Sequence, residues 1–473
     1  MEEIRLSAPP PSLPPAGFFD RLKPLRGLWR DIAATLGAAP KSIAPDLPPA
    51  DAGLLRAQMQ DCLRERGGEV SARARAAALG RSYLSLNAQG RQRFLRMLAD
   101  EFGPAPEAVD AAMDKVRAAA GPAERLAAEQ ALRLALESPR LRLLTQFNAL
   151  PEGVKFLVDL RAELLPQTRG DAALAALDAD LKDLLAAWFD VGFLELQRIT
   201  WRSPALVLEK IMAYEAVHAI EGWRDLKNRL DSDRRLYAFF HPRMPDEPLI
   251  FVEVALVRGM ADDVRALLDE NAPVGDPAQA DTAIFYSINN AHKGLVGISF
   301  GNFLIKKVVD SLSHEFPNLK TFATLSPIPG FRAWLDARLA EGEEQVLTAA
   351  EQKLLKNGGG LKAALDGPWH EDEDLAERLR PALQRLCVRY LTEKRGSAPG
   401  RALDPVAHFH LSNGARLERL NWMGDASAKG LAQSAGMMIN YLYKLSDIEA
   451  NHESYRGDGR IVLSSAVKAL GKG

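Results

Sequence analysis

The sequence predicts an α plus α/β chain, in which an all-helical bundle is followed by a domain of alternating strands and helices. Three observations predict this. Over residues 17–190 the chain is rich in Ala, Leu, Arg, Glu and Asp and poor in β-branched residues, with apolar side chains at helical spacing. Glycine and proline breaks cut that stretch into helices of moderate length. Over residues 191–473, β-rich apolar runs alternate with amphipathic helical segments.

Taken in order, residues 1–16 contain PPPSLPP, which has little to bury, and are expected to be disordered. In the bundle, Phe94, Leu95, Leu98 and Phe102 form one stripe, while Leu126, Leu132, Leu136 and Leu143 belong to others. Breaks fall at Gly103-Pro104, Gly121-Pro122, Ser138-Pro139, Leu150-Pro151 and Leu165-Pro166. Beyond the bundle, Arg235–Phe240 and Pro248–Val257 read as an antiparallel pair of strands. The prolines of the segment that joins them forbid a helix there. Ala261–Asn271 reads as a helix, Thr282–Ser287 as a strand, Ile298–Glu315 as an amphipathic helix and Leu319–Leu325 as a strand. The turn Pro327-Ile-Pro-Gly330 then leads into a helix from Phe331 to about Leu339. After a mixed, helical stretch over 340–400, strands are expected at Val406–Leu411 and Ala415–Trp422.

Composition narrows the function. The 473 residues can hold two or three domains, and 47% hydrophobic with 26% charged is ordinary for a globular protein. Lys+Arg 60 against Asp+Glu 62 gives a net charge of −2, which argues against a nucleic-acid partner, so any anion site must be local. The two cysteines, Cys62 and Cys387, make neither a disulfide framework nor a CxxC metal motif, so a reducing, cytoplasmic setting is expected. The opening residues lack a secretory pattern, and charges break every apolar run before bilayer length, so no membrane span is expected.

Four segments carry chemistry. The first is Asn289–Asn302, leading into Phe303-Leu-Ile-Lys-Lys307. Gly294, Gly297 and Gly301 allow close backbone approach, and a helix start with Lys306 and Lys307 nearby suits phosphate. A tight turn packed on its glycines is the plainer alternative. Walker A and Rossmann spacings are both missing. The second is Ser326, held at a strand end by stiff prolines. It is either a reactive hydroxyl or a turn serine, and without a GxSxG elbow a hydrolase triad is disfavoured. The third is His408-Phe-His410. On a strand the two imidazoles would share a face and could chelate a metal, but no third ligand is placed nearby. Alternatively one of them works in proton transfer. The fourth is Asn440-Tyr-Leu-Tyr443, whose tyrosines either donate to a developing negative charge or pack the core. Asn421 and Asp425 support the site or the core.

These segments together resemble the malonyl-CoA decarboxylases. The resemblance runs through His241–Val257, Gly294–Lys307, Leu325–Phe331, Pro405–Met423 and Gly436–Tyr443, and SPIPGF with FHL-x-NGA is its most specific part. It implies a helical N-terminal domain over 17–190 that makes subunit contacts in a dimer or tetramer. It also implies a GNAT-type, acyltransferase-like domain over 191–473 that decarboxylates malonyl-CoA with neither cofactor nor metal. The family's CoA-binding turn falls on Val296, Gly297, Ile298, Ser299, Phe300, Gly301 and Asn302, its catalytic serine on Ser326, its catalytic histidine on His410 and a pocket tyrosine on Tyr443. Ser326 would hydrogen-bond the malonyl carboxylate and His410 would protonate C2. His408 falls where the family motif requires no histidine. An acetyl-CoA-dependent acyltransferase and a non-catalytic CoA sensor are the alternatives.

Overall fold

The computed structural model describes Trp29, Ile32 and residues 43–64, 68–189, 191–298, 303–355, 360–395 and 400–472. The expected disorder of residues 1–16 lies outside these.

The chain divides into two compact units. The first holds the helical N-terminal region to Leu194 together with two short returns of the chain, His241–Glu247 and His292–Ser299. The breaks at Gly121-Pro122 and Ser138-Pro139 fall on helix starts, those at Gly103-Pro104 and Leu150-Pro151 fall just ahead of one, and Leu165-Pro166 lies in a short 3-10 turn. Pro106, Pro122 and Pro139 each open a helix, at a position where a missing N–H is harmless. Asn87 and Asp171 cap the helices Ala88–Glu101 and Ala172–Trp188 by accepting the N–H of Gly90 and Leu174. Phe94, Leu95, Leu98 and Phe102 are buried as their spacing predicts. The stripe through Leu126 and Leu136 is different: the helices Pro106–Ala118 and Pro122–Leu136 pack on each other as a hairpin, leaving Leu126 and Leu136 65% and 53% exposed, while Leu143 is buried. Helical spacing marks an apolar face but does not say what covers it.

The second unit is built on one mixed sheet. Its strands are β1 (Glu195–Ile199), β2 (Arg234–Phe240), β3 (Ile250–Val257), β4 (Thr282–Asn290), β5 (Thr321–Thr324), β6 (Ser326–Pro327), β7 (Arg416–Asn421) and β8 (Met438–Leu442). They run in the order β1-β2-β3-β4-β5-β8-β6, with β7 also paired to β8. Every pairing is antiparallel except β4 with β5, which is parallel. A parallel step needs a crossover, and the helix Phe303–Glu315 supplies it. Leu304, Ile305, Val308, Val309 and Leu312 form that helix's buried face.

Three expectations need correction. The helix expected over Ala261–Asn271 is only Val264–Leu268, capped by the Asp263 carboxylate. The helix expected from Ile298 does not include Ile298 itself; residues 299–302 lie outside the described residues, and the helix is described from Phe303 onward. The strand expected at Val406–Leu411 is the helix Pro405–Ser412: Asp404 caps it by accepting the Ala407 N–H, and Pro405 stands at its first position. A cap and a proline at N1 override the β propensity of a short apolar run.

Candidate active site

Ser326 and His410 are 84 residues apart in the chain, and the second unit brings them together. Ser326 starts β6, where it pairs with Ile439 of β8. His410 lies on the last turn of the helix Pro405–Ser412, and both side chains are buried. Ser326 Oγ is 3.2 Å from His410 Nε2. The serine hydroxyl is also 2.8 Å from Thr324 Oγ1, two residues back along the same face. Thr324 Oγ1 in turn accepts the backbone N–H of Tyr441 at 3.1 Å. On the far side of the imidazole, Nδ1 lies 2.7 Å from the hydroxyl of Tyr443. The ring of Tyr441 stacks on the imidazole at 4.4 Å between centroids, tilted by 22°.

Burial sets the charge state of this group. It pushes the His410 imidazole down to about 3, so the ring is neutral at physiological pH. It also holds the Tyr443 phenol well above its ordinary value, so that hydroxyl keeps its proton. The site is therefore a chain of neutral hydrogen-bonding groups, able to hold and move a proton without a standing charge.

The two motifs are tied together behind the site. A side chain on Gly330 would place its first carbon 2.1 Å from the Tyr390 hydroxyl, so SPIPG ends in glycine because that space is filled. The Tyr390 hydroxyl donates to Asp404 Oδ2 at 3.0 Å. Asp404, fully buried, is the cap of the helix that carries His410. Its carboxyl is raised above its ordinary value by burial, with the Ala407 N–H and the Tyr390 hydroxyl acting against that rise. Position flows from the serine loop, through Tyr390 and Asp404, to the histidine helix.

The other candidates fall as follows. His408 and His410 do not share a face, because on a helix they project about 200° apart. His408 Nδ1 meets the Tyr455 hydroxyl at 2.8 Å, and among the described residues no group of three or more His, Cys, Asp or Glu could hold a metal ion. Asn421 is committed to Asn440, donating to its Oδ1 at 2.8 Å, and Asn440 in turn donates to the Thr324 carbonyl at 2.7 Å. Asn421 thus braces the strand that carries the site. Asp425 accepts the Ser427 N–H and supports the next turn.

The glycine turn belongs to the first unit, and Ser299, Phe300, Gly301 and Asn302 lie outside the described residues. Gly294 follows the plainer of the two readings, a turn packed on its glycine. A side chain there would put its first carbon 1.8 Å from the Val158 carbonyl oxygen, so its close approach is to the helix Gly153–Leu164 and not to a ligand. Gly297 has φ +78, a left-handed conformation that favours glycine. Arg161, on the same helix as Val158, donates to the carbonyls of Gly294 and Val296 at 2.6 and 2.9 Å and pairs with Asp178 at 2.7 Å. Val296 is exposed and Ile298 buried. In the second unit, Lys306 Nζ lies 3.5 Å from Glu449.

Sequence reasoning missed Thr324, Tyr390, Asp404 and Arg161. Two of these had a signal: Asp-Pro ahead of an apolar run is a helix start, and Thr324 shares the period-two face of Ser326. Nothing local could link Arg161 to a turn 133 residues away.

A family model described as the malonyl-CoA decarboxylase C-terminal domain matches residues 192–473, and one for the N-terminal domain of the same family matches residues 102–189. The chain belongs to the malonyl-CoA decarboxylase family. It is 41% identical over 364 residues to the mitochondrial malonyl-CoA decarboxylase of Rattus norvegicus, a match that spans 73% of each chain. The crystal structure of malonyl-CoA decarboxylase from Rhodopseudomonas palustris superposes with a TM-score of 0.82 at 44% identity, covering 88% of this chain and 99% of that one. The corresponding structure from Agrobacterium vitis gives 0.80 at 44% identity, covering 89% and 100%.

Proposed function

We infer that this chain is a carboxy-lyase that converts malonyl-CoA to acetyl-CoA and CO₂. Family membership across both matched domains carries the reaction. The contact of Ser326 Oγ with His410 Nε2 at 3.2 Å is the observation that best supports a site for it.

Loss of CO₂ leaves an electron pair on C2, which the thioester carbonyl takes up as an enolate. The sink is part of the substrate, so the proposed chemistry calls for neither cofactor nor metal. The site has to hold the carboxylate out of the thioester plane and stabilise the enolate oxygen, where one fixed donor is worth about 3–4 kcal/mol. It must then deliver a proton to C2. We assign carboxylate binding to Ser326 and protonation of C2 to His410, with Tyr443 behind the imidazole. The neutral, buried setting of these groups fits an intermediate that water must not reach first.

The turn Val296–Asn302 is the proposed seat of the CoA diphosphate. Its left-handed Gly297 and the hydrogen bonds from Arg161 to the Val296 carbonyl and to that of Gly294 just before the turn support a preorganised backbone there. The antiparallel run β1 to β4, followed by a parallel β4–β5 step spanned by a helix, supports a GNAT-type fold for 191–473. The helical domain over 17–190 is assigned to self-association. Among the described residues no helix is long and apolar enough to cross a membrane, and a cytoplasmic setting remains our reading.

The test is incubation of the purified chain with malonyl-CoA and chelator, without any acyl acceptor. Equal amounts of CO₂ and acetyl-CoA are expected. Acetyl transfer that needs an added amine, or CoA binding without turnover, would overturn the assignment in favour of an acyltransferase or a sensor.

A further inference from the structure

The Ser326–His410 contact can be read with either partner as donor, and the two readings make different enzymes. In a hydrolase the serine gives its proton to the histidine and becomes a nucleophile. The groups behind the imidazole decide which reading holds here.

Tyr443 is fully buried, and among the described residues its hydroxyl has one hydrogen-bond partner, His410 Nδ1 at 2.7 Å. If Nδ1 carried the imidazole proton, the hydroxyl would accept it and its own proton would be left buried without an acceptor. The opposite row would instead leave the Thr324 proton unpaired, so the choice rests on bond strength. A phenol donates better and accepts worse than an aliphatic alcohol, and an imidazole nitrogen is the strongest acceptor among these groups, so the phenol donates and Nδ1 accepts. A neutral imidazole has one proton, which then sits on Nε2. Nε2 faces Ser326 Oγ at 3.2 Å. The serine accepts from it and has its own acceptor in Thr324 Oγ1 at 2.8 Å. The hydrogen bonds run in one direction, from Tyr443 to His410 to Ser326 to Thr324.

We propose that Tyr443 is a positioning residue that fixes His410 as the Nε2–H tautomer, so that the imidazole presents a proton, and not a lone pair, to Ser326 and to the carbon that lies beyond it. This rests on the decarboxylase reading for its use, though not for its geometry. The serine is then not activated for attack, which separates this site from a hydrolase built of the same residue types. In turnover the Nε2–H bond breaks as the C2–H bond of acetyl-CoA forms. The Tyr443 O–H proton passes to Nδ1, so the charge of the spent enolate rests in passing on the phenolate and not on the imidazole. A solvent proton taken up at Nε2 then sends the Nδ1 proton back to the phenolate, which restores the phenol and the starting tautomer. One proton is consumed for each CO₂ released, as the overall reaction requires.

The experiment is nitrogen NMR of the full chain with ¹⁵N-labelled histidine and no substrate, read beside steady-state kinetics. The His410 signals are identified, among 8 histidines, by their loss in His410→Gln. A protonated, pyrrole-type shift is expected at Nε2 and an unprotonated, pyridine-type shift at Nδ1. In Tyr443→Phe the Nδ1-protonated form should rise, and kcat should fall about 100-fold with KM for malonyl-CoA little changed. A wild-type spectrum with the proton on Nδ1 overturns the proposal, as does a Tyr443→Phe enzyme with wild-type kcat. If Tyr443→Phe does not fold, the wild-type spectrum decides alone. A wild-type chain that releases no CO₂ overturns the decarboxylase reading instead, and the tautomer is still decided by the nitrogen shifts.

Discussion

His410 is a histidine made unlike others by what surrounds it. Among the described residues no charged neighbour stabilises its imidazolium, and burial lowers it from 6.5 to about 3. The folded value lies below the ordinary one, so between those limits the unfolded chain binds the proton more readily. Stability contributed here is full above 6.5 and is lost as pH falls toward 3. Activity should follow the same sign. We expect kcat to show no acid limb near 6.5 in a profile taken from about pH 5 to 8. An inflection near 6.5 that vanishes in His410→Gln would show a histidine titrating as an ordinary, solvated group. Part of this was legible in the sequence. A histidine and a serine in SPIPGF and FHL-x-NGA could be named from their motifs, but the direction of proton donation could not, because it depends on a tyrosine hydroxyl that only folding puts behind the ring.

At the scale of elements, the coupling of the serine loop to the histidine helix rests on Gly330, Tyr390 and Asp404. Adding a methyl in Gly330→Ala sets a carbon against the Tyr390 hydroxyl and should destabilise by about 1–3 kcal/mol. Removing that hydroxyl in Tyr390→Phe loses its bond to Asp404, at about 1 kcal/mol. The double variant should be more stable than the sum of the two losses, because the phenylalanine vacates the space the methyl enters. Thermal unfolding of all four proteins measures this, and strict additivity would mean that the two sites are not in contact. The same elements show where sequence reading succeeds and fails. Strands with a long apolar pattern, such as β3 and β4, were legible because burial on both faces demands that pattern. The segment around His408 and His410 was misread because eight residues are too few for periodicity to separate strand from helix, and its cap was overlooked. For Gly294 the sequence left close approach to a ligand and packing of a tight turn both open, and the helix carrying Val158 fills the space.

For the whole molecule, the helical N-terminal region and the mixed-sheet domain could be separated from composition alone. What covers each apolar face could not. Leu126 and Leu134 stand 65% and 70% exposed on the hairpin helix Pro122–Leu136. We propose that a second copy of the chain covers them. Light scattering of the purified protein should then give more than the monomer mass of 51.8 kDa, and Leu126→Gln with Leu134→Gln should shift it toward the monomer. A wild-type protein that stays monomeric at high concentration would contradict this.

The central claim is that a serine and a histidine from distant parts of the chain act on one acyl group. It is tested most directly by measuring acetyl-CoA formation from malonyl-CoA in Ser326→Ala and His410→Ala beside CoA binding by calorimetry. Each variant should lose about 100-fold or more of kcat while binding CoA as the wild type does, since both contacts are made to the reacting end of the substrate. Decarboxylation at the wild-type rate in both variants would contradict the account.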